Sequence, residues 1–253
     1  LMVEGVSLSG MTETPIVVVD AQRPGPATGF PTRTEQADLD FLISAGHGEF
    51  AKVIYSPGTI EEAFYLTIKA FNLAEKYQIP VLIMTDQHLA DSLMNITPFD
   101  PHKIKARRFI ISREDSKKIS GYQRYQLTAS GISPRAIPSW INDVIYADSD
   151  EHNEEGHITE DARTRVNMVE KRFHKKIAGL TQEIEKPVVF NLEKAQTVLL
   201  GFGSTYGVIK EVCEKLSNKN FGFAHLPQVW PFPAAELSLL LDGKSSILTV
   251  ENN

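Results

Sequence analysis

Two apolar runs, AKVIYSP at 51–57 and PVLIMTD at 80–86, flank a stretch in which hydrophobic residues recur at helical spacing. Runs of this kind, rich in β-branched residues and without alternation, read as strands buried on both faces. Between them Ile60, Ala63, Phe64, Thr67, Ala70, Phe71, Ala74 and Tyr77 mark the core face of a helix. Thr59 and Glu62 have the spacing of a capping box at its start, and Pro80 closes the connection. Strand, helix and strand in about 35 residues is a βαβ unit, and such a unit joins parallel strands. The chain is therefore an α/β protein. PIVVVD at 15–20 is a third run of the same type.

That third run empties into QRPGPATGFPTRTEQ, residues 22–36, which holds three prolines, two glycines and two arginines. Loops at the ends of buried strands are where α/β proteins keep binding groups. Proline fixes φ and glycine permits close backbone approach, so this loop can hold one shape at little entropic cost. Arg23, beside Pro24, Gly25 and Pro26, then offers a planar fork of donors suited to a carboxylate or phosphate. Thr28, Thr32 and Thr34 add hydroxyls. The plain alternative is a stiff surface turn whose arginine pairs with a neighbouring acid.

From about 98 to 190 the pattern changes. GYQRYQLTASGISPRAIPSW is rich in turn formers, and DSDEHNEEGHITED is acidic and polar. ARTRVNMVEKRFHKKIAGL reads as an exposed helix with a stripe at Val166, Val169, Phe173 and Ile177. This segment is expected to be a long insert packed on the first domain. A second α/β pattern follows: TVLLGFG as a strand into a glycine turn, STYGVIKEVCEKLSN as a helix with Ser204 as N-cap, then FGFAHLPQVWPFP, AAELSLLL and SSILTVE as strand, short helix and strand. The expected domains are 1–97, 98–190 as insert, and 191–253.

Other groups that bear on chemistry are fewer. GFGSTYG (201–207) departs from G-x-G-x-x-G, since position 206 is Tyr, so strand–helix packing accounts for it better than anion binding. His152 and His157 sit among Asp150, Glu151, Glu154 and Glu155, yet a solvated acidic loop is the commoner outcome than a metal site. With 26 basic against 32 acidic side chains the net charge is −6, which argues against a nucleic-acid partner. The single cysteine, Cys213, excludes an internal disulfide and a cluster ligated by this chain alone. No run suggests a membrane span or signal peptide, so a cytoplasmic protein is expected. The chain opens on Leu1 in mid-element and stops just after a strand, as if part of a longer one.

In order along the chain, MVEGVSLSGMTETPIVVVDAQRPGPATGFPTRTEQADL, GHGEF, AFNLAEKYQIPVLIMTDQHLADS, GISPRAIP, DEHNEEGHITED, MVEKR and GFGSTYG…LPQVWPFP together resemble the α subunits of 2-oxoacid:ferredoxin oxidoreductases of the 2-oxoglutarate type. The resemblance implies part of a thiamine-diphosphate pyrimidine-type parallel-sheet domain followed by a transketolase C-terminal-like α/β domain. It implies that the complex oxidatively decarboxylates a 2-oxoacid, with CoA taking the acyl group and ferredoxin the electrons. A β subunit would hold the diphosphate, Mg²⁺ and a 4Fe-4S cluster, and further small subunits occur in the family. Arg23 would bind the substrate carboxylate with Thr32 close by. From its place in the insert the acidic loop, with Asp148, Asp150 and His152, is expected at the active-site mouth together with Thr28, and its spacing is not that of a metal site, so no metal is expected in this chain. The family's Y-P-I-T-P motif and cofactor-activating glutamate lie upstream of this match, and Glu4 is not that glutamate. Ala129 and Ser130 stand where the resemblance leads one to expect acidic residues. The alternatives are a transketolase-like or oxoacid-dehydrogenase subunit, and a non-catalytic assembly module, for which Arg23 would face solvent.

Overall fold

The computed structural model describes residues 2–216 and 220–252. In chain order its main elements are α1 (Val3–Thr12), β1 (Ile16–Gln22), α2 (Leu39–Ser44), β2 (Val53–Tyr55), α3 (Ile60–Tyr77), β3 (Pro80–Asp86), α4 (Gln87–Asp91) and α5 (Arg113–Ser116). Then α6 (Ala162–Val169) runs through a π-helical turn (Glu170–Lys175) into α7 (Lys176–Leu180). The second half holds β4 (Val188–Phe190), β5 (Thr197–Phe202), α8 (Thr205–Lys215), β6 (Phe221–Leu226), β7 (Gln228–Trp230), α9 (Ala234–Leu241) and β8 (Ser246–Val250). No described helix is long and apolar enough to cross a membrane.

Two four-stranded sheets result, ordered β1-β3-β2-β7 and β4-β6-β5-β8. β1, β3 and β2 are parallel, as the βαβ pattern requires. Strand β7 lies in the second half of the sequence but pairs antiparallel with β2 of the first sheet. Conversely Val188–Phe190, inside the expected insert, pairs with β6 of the second. The two halves are thus stitched by exchanged strands. They also share a core, in which Ile54, Leu82 and Met84 pack with Val198, Phe202, Ala224 and Leu226. The alternate residues Val53, Tyr55, Val81 and Ile83 face α3 instead, with Leu66, Ala70, Leu73 and Tyr77. Both faces of β2 and β3 are covered, which is why their sequences show no alternation.

Four expectations need correction. PIVVVD is not buried on both faces: among the described residues β1 pairs with β3 alone, and Val19 is 64% exposed. At the start of α3, Thr59 Oγ1 accepts from Glu62 N at 3.0 Å, but Glu62 Oε2 takes Gly58 N at 2.6 Å rather than the Thr59 amide. Ser204 makes no side-chain cap; Thr205 Oγ1 instead donates to Phe202 O at 2.8 Å. The last two positions of the helix expected over 204–218 lie outside the described residues.

The fourth correction is chemical. The helix at 162–180 buries charge alongside Met168 and Leu180, while Val169, Phe173 and Ile177 of the expected stripe are only half-buried. Val166 is 67% exposed, while Lys171, Arg172 and Lys176 are buried. The π-helical turn shifts the phase so that Lys171 and Lys176 both reach Glu13, which ends α1 in the left-handed region and is itself fully buried. Arg124 completes the cluster, donating to Glu13 O at 2.8 Å and to Gln78 Oε1 at 2.7 Å. Glu13 and Gln78 lie just before β1 and β3. The insert is therefore bolted onto the amino-terminal edge of the parallel sheet, leaving the carboxyl edge to other groups.

Candidate functional site

At the carboxyl edge, β1 and β3 end in register, Gln22 opposite Asp86. Gln22 is buried and works twice: Nε2 donates to Thr85 O at 3.3 Å, and Oε1 accepts from Asp38 N at 3.1 Å. Asp86 caps α4, its Oδ1 accepting from Leu89 N at 2.9 Å. The loop between is closed on itself, because Phe30 N donates to Pro24 O at 3.0 Å and Arg33 N to Phe30 O at 3.1 Å. Thr34 Oγ1 donates to Gln87 Oε1 at 3.1 Å. Gln36, also buried, ties the loop's far end to the second domain. Its backbone N donates to Asn252 O at 2.6 Å, its Oε1 accepts from Asn252 N at 2.9 Å, and its Nε2 donates to Phe202 O at 2.9 Å.

Arg23, Thr28 and Thr32 are all exposed on this loop. Arg23 forms no ion pair among the described residues, but its charge is felt by two carboxylates. Burial and the neighbouring charge of Asp38 push Asp20 up to about 6, against the pull of Arg23. Burial raises Asp38 as well, again opposed by Arg23. Asp20 Oδ2 is sealed from solvent without a hydrogen-bond partner among the described residues. The strand end therefore presents one exposed guanidinium backed by two reluctant carboxylates. Such an arginine is available to an incoming anion. Sequence reasoning passed over Asp20, Gln22, Gln36 and Asp38. A carboxylate closing the apolar run VVVD was the available signal for Asp20.

Gly29 holds the loop in this shape. Its φ is +51°, and a Cβ there would lie 1.7 Å from Pro24 O, the atom that accepts the closing hydrogen bond. Gly29→Ala must open the closure, losing one hydrogen bond and adding left-handed strain, about 1–2 kcal/mol locally. The expected result is faster hydrogen exchange at the Phe30 amide by roughly 5- to 30-fold, with no comparable change at β3.

The glycine turn at 201–203 is closely packed. Gly203 has φ +60°, and a Cβ would meet Gln36 Nε2 at 2.8 Å and Ser56 Oγ at 3.1 Å. His225 packs beside it, its Nε2 3.2 Å from Gly203 O. Burial pushes that imidazole down to about 4, so it is neutral and Nε2–H is the donor.

The acidic loop forms a small hairpin held by a His152–Ile158 bridge. His152 is fully buried against the Tyr125 ring at 4.0 Å, with Nδ1 2.9 Å from Asp150 O; burial lowers its pKa. Glu151 pairs with Arg172 and Arg165. Asp148 Oδ1 accepts from Asp150 N at 2.9 Å. Asp150 lines a cleft of about 760 Å³ with Glu4, Leu8, Met11 and His47. Among the described residues no hydrogen bond or ion pair joins Asp148, Asp150 or His152 to Arg23, Thr28 or Thr32. No cluster of three or more potential metal-ligating side chains occurs among the described residues.

A parallel sheet with a closed, arginine-bearing loop at its carboxyl edge, sharing a core with a second α/β sheet, defines an α/β protein built on two packed sheets. Residues 1–171 match the family model described as pyruvate flavodoxin/ferredoxin oxidoreductase, thiamine diphosphate-binding, and residues 195–253 match pyruvate:ferredoxin oxidoreductase core domain II. The chain belongs to this oxidoreductase family. It is 42% identical, over its whole length, to 2-oxoacid:ferredoxin oxidoreductase 1 subunit alpha of Sulfurisphaera tokodaii, of which it spans 40%. It is 28% identical to 2-oxoglutarate synthase subunit KorA of Methanothermobacter marburgensis, spanning 66% of that protein. A solved structure, 2-oxoglutarate:ferredoxin oxidoreductase from Magnetococcus marinus with 2-oxoglutarate, coenzyme A and succinyl-CoA bound, superposes with a TM-score of 0.91 at 32% identity. That match covers the whole of this chain and 44% of the other.

Proposed function

We propose that this chain belongs to the α subunit of a complex that oxidatively decarboxylates a 2-oxoacid, 2-oxoglutarate first, to acyl-CoA and carbon dioxide, with ferredoxin as electron acceptor. The observation that carries this is the closed loop after β1, which fixes Arg23 and Thr32 on one short frame without pairing Arg23 to an acid. The arginine fork takes the carboxylate and the threonine hydroxyl lies beside it. Holding the carboxylate in one pose is what decarboxylation requires, since the bond that breaks must keep its orientation. Asp20 and Asp38 behind Arg23 keep the site from accumulating further positive charge.

Thiamine diphosphate, when bound, supplies the nucleophilic carbon and the electron sink. This chain fits its pyrimidine side better than its diphosphate side. The glycine turn at 201–203 packs against Gln36, Ser56 and His225, which supports a packing role for its glycines over a phosphate cradle. The diphosphate, Mg²⁺ and the 4Fe-4S cluster are assigned to a partner β subunit. CoA and ferredoxin complete the reaction, and Thr28, Asp148 and Asp150 are assigned to the approaches of the site.

The test is reconstitution with a β subunit and an assay of several 2-oxoacids with CoA and ferredoxin. The isolated chain should bind thiamine diphosphate weakly or not at all by calorimetry in the presence of Mg²⁺. Binding tighter than micromolar would show that the division of labour is wrong.

A further inference from the structure

Arg23 and Thr32 can act together only if their loop lies in one place, and the far end of that loop is held from outside its own sheet. Thr34 and Asp38 return it to the first sheet, through Gln87 and Gln22. Gln36, between them, turns the other way. It is 2% exposed, and both ends of its amide are used: Oε1 accepts from Asn252 N at 2.9 Å, and Nε2 donates to Phe202 O at 2.9 Å. Its backbone N donates to Asn252 O at 2.6 Å. Phe202 ends β5 and Asn252 lies just past β8. These strands are neighbours in the second sheet, Gly201 opposite Val250. One residue of the substrate loop therefore spans two strand ends of the other sheet.

The space for its amide is built into both sheets. Gly203 lies in the left-handed region at φ +60°, and a Cβ there would stand 2.8 Å from Gln36 Nε2, 3.1 Å from Ser56 Oγ and 3.8 Å from Asp86 Oδ2. Ser56 follows β2 and Asp86 ends β3, so the carboxyl edges of both sheets meet around this amide. Holding the sheets together does not require it. The shared core of Ile54, Leu82, Met84, Val198 and Phe202 already does so, with strand β7. Apolar burial is non-directional, whereas a buried residue with three directed hydrogen bonds fixes the position of the chain that carries it.

We propose that Gln36 is a positioning residue for decarboxylation: it sets the substrate loop against the second sheet, and through the loop it fixes the pose of Arg23 and Thr32. This rests on the 2-oxoacid reading above. It makes the second sheet part of the frame that aims the substrate loop.

The experiment uses the reconstituted complex with 2-oxoglutarate, CoA and ferredoxin, in a double-mutant cycle between Gln36 and Arg23. Gln36→Glu keeps the size and the acceptor for Asn252 N, but sets a carboxylate oxygen against Phe202 O. kcat/KM should fall about 10- to 100-fold, the scale of a misplacement of roughly 1 Å. Most of the fall should lie in kcat, with KM within about threefold of the parent, because Arg23 keeps its charge while its aim is lost. In the Arg23→Lys background the same change should cost less than about threefold, since no fork is left to aim. Gly203→Ala reaches the same amide from the second sheet. It should give the same split and the same non-additivity with a smaller loss, and it decides alone if Gln36→Glu fails to assemble. A loss confined to KM, full activity in both variants, or effects that simply add to that of Arg23→Lys would overturn the proposal. Full kcat/KM in Arg23→Lys by itself would sink the 2-oxoacid reading of the loop, and the proposal with it, so the two failures are told apart.

Discussion

Arg23→Lys should lower kcat/KM for the 2-oxoacid by roughly 10- to 150-fold, while the melting temperature stays where it is. The substitution keeps the charge but replaces a planar fork with a point charge that cannot grip a carboxylate bidentately. Losing one charge-assisted hydrogen bond costs on the order of 1.5–3 kcal/mol, and about 1.4 kcal/mol is a decade in rate. Stability is spared because Arg23 is exposed and makes no ion pair among the described residues. Its nearest charges, Asp20 and Asp38, keep a cation close by in either variant. Thr32→Val should act in the same direction and more mildly, through one hydroxyl. Steady-state rates on the reconstituted complex, read beside thermal melts, decide the matter. Full activity in Arg23→Lys, or a loss that tracks a collapsed melting temperature, would return the loop to a stiff surface turn.

Much of this site was legible in the sequence, because its signals are local. Pro24, Gly25, Pro26 and Gly29 set backbone shape residue by residue, and the two strands with α3 between them carry their periodicity within 36 positions, 51 to 86. What escaped was non-local. The sequence does not say that Gln36 meets Asn252, or that Gln228–Trp230 joins β2, because each pairing spans well over a hundred residues and no pattern marks it. The edge position of β1 escaped for a related reason: β-branched runs look alike whether one neighbour or two lie beside them. At 162–180 the rule that charged residues face water pointed the wrong way. A π-helical turn changed the phase, and Glu13, some 160 residues earlier, made burial of Lys171 and Lys176 tolerable. Asp148, Asp150 and His152 share a hairpin, yet His152 is a packing residue on Tyr125 rather than an open side chain at a mouth.

Glu13→Gln should be the most destabilising single change in the fold, at about 3–5 kcal/mol, because it leaves buried ammonium groups without their counter-charge. Gln preserves size and tolerates the left-handed backbone as Glu does, so the effect is electrostatic and not steric. Burial opposes the charge of Glu13, but Lys176 and Lys171 outweigh it and hold the carboxyl at about 2. Burial in turn draws Lys171 down to about 7 and lowers Lys176, against the pull of Glu13. One carboxylate faces two ammoniums, so burial weakens the hold of both lysines on their protons. The sign of the pH dependence follows. Glu13, depressed in the folded state, contributes stability that is complete above its ordinary 4.5 and lost as pH falls toward 2. Lysines depressed by burial cost stability once the unfolded chain takes up their protons below about 10.5, and that cost grows until the folded Lys171 is also protonated near pH 7. Removing Glu13 deepens the lysine cost only where the lysines are charged. The deficit of Glu13→Gln relative to the parent is therefore widest between about pH 4.5 and 7, and shrinks on both sides. For a chain of this size the loss at pH 6 corresponds to a fall in melting temperature on the order of 10 °C. Adding Lys171→Met to Glu13→Gln removes one stranded charge and should recover a large part of it, since apolar replacements of buried ion clusters are often neutral or stabilising. Denaturation of the four combinations across pH reads all of this at once. A deficit that is flat in pH, or a double variant no more stable than Glu13→Gln alone, would mean that packing and not charge holds the insert to the strands.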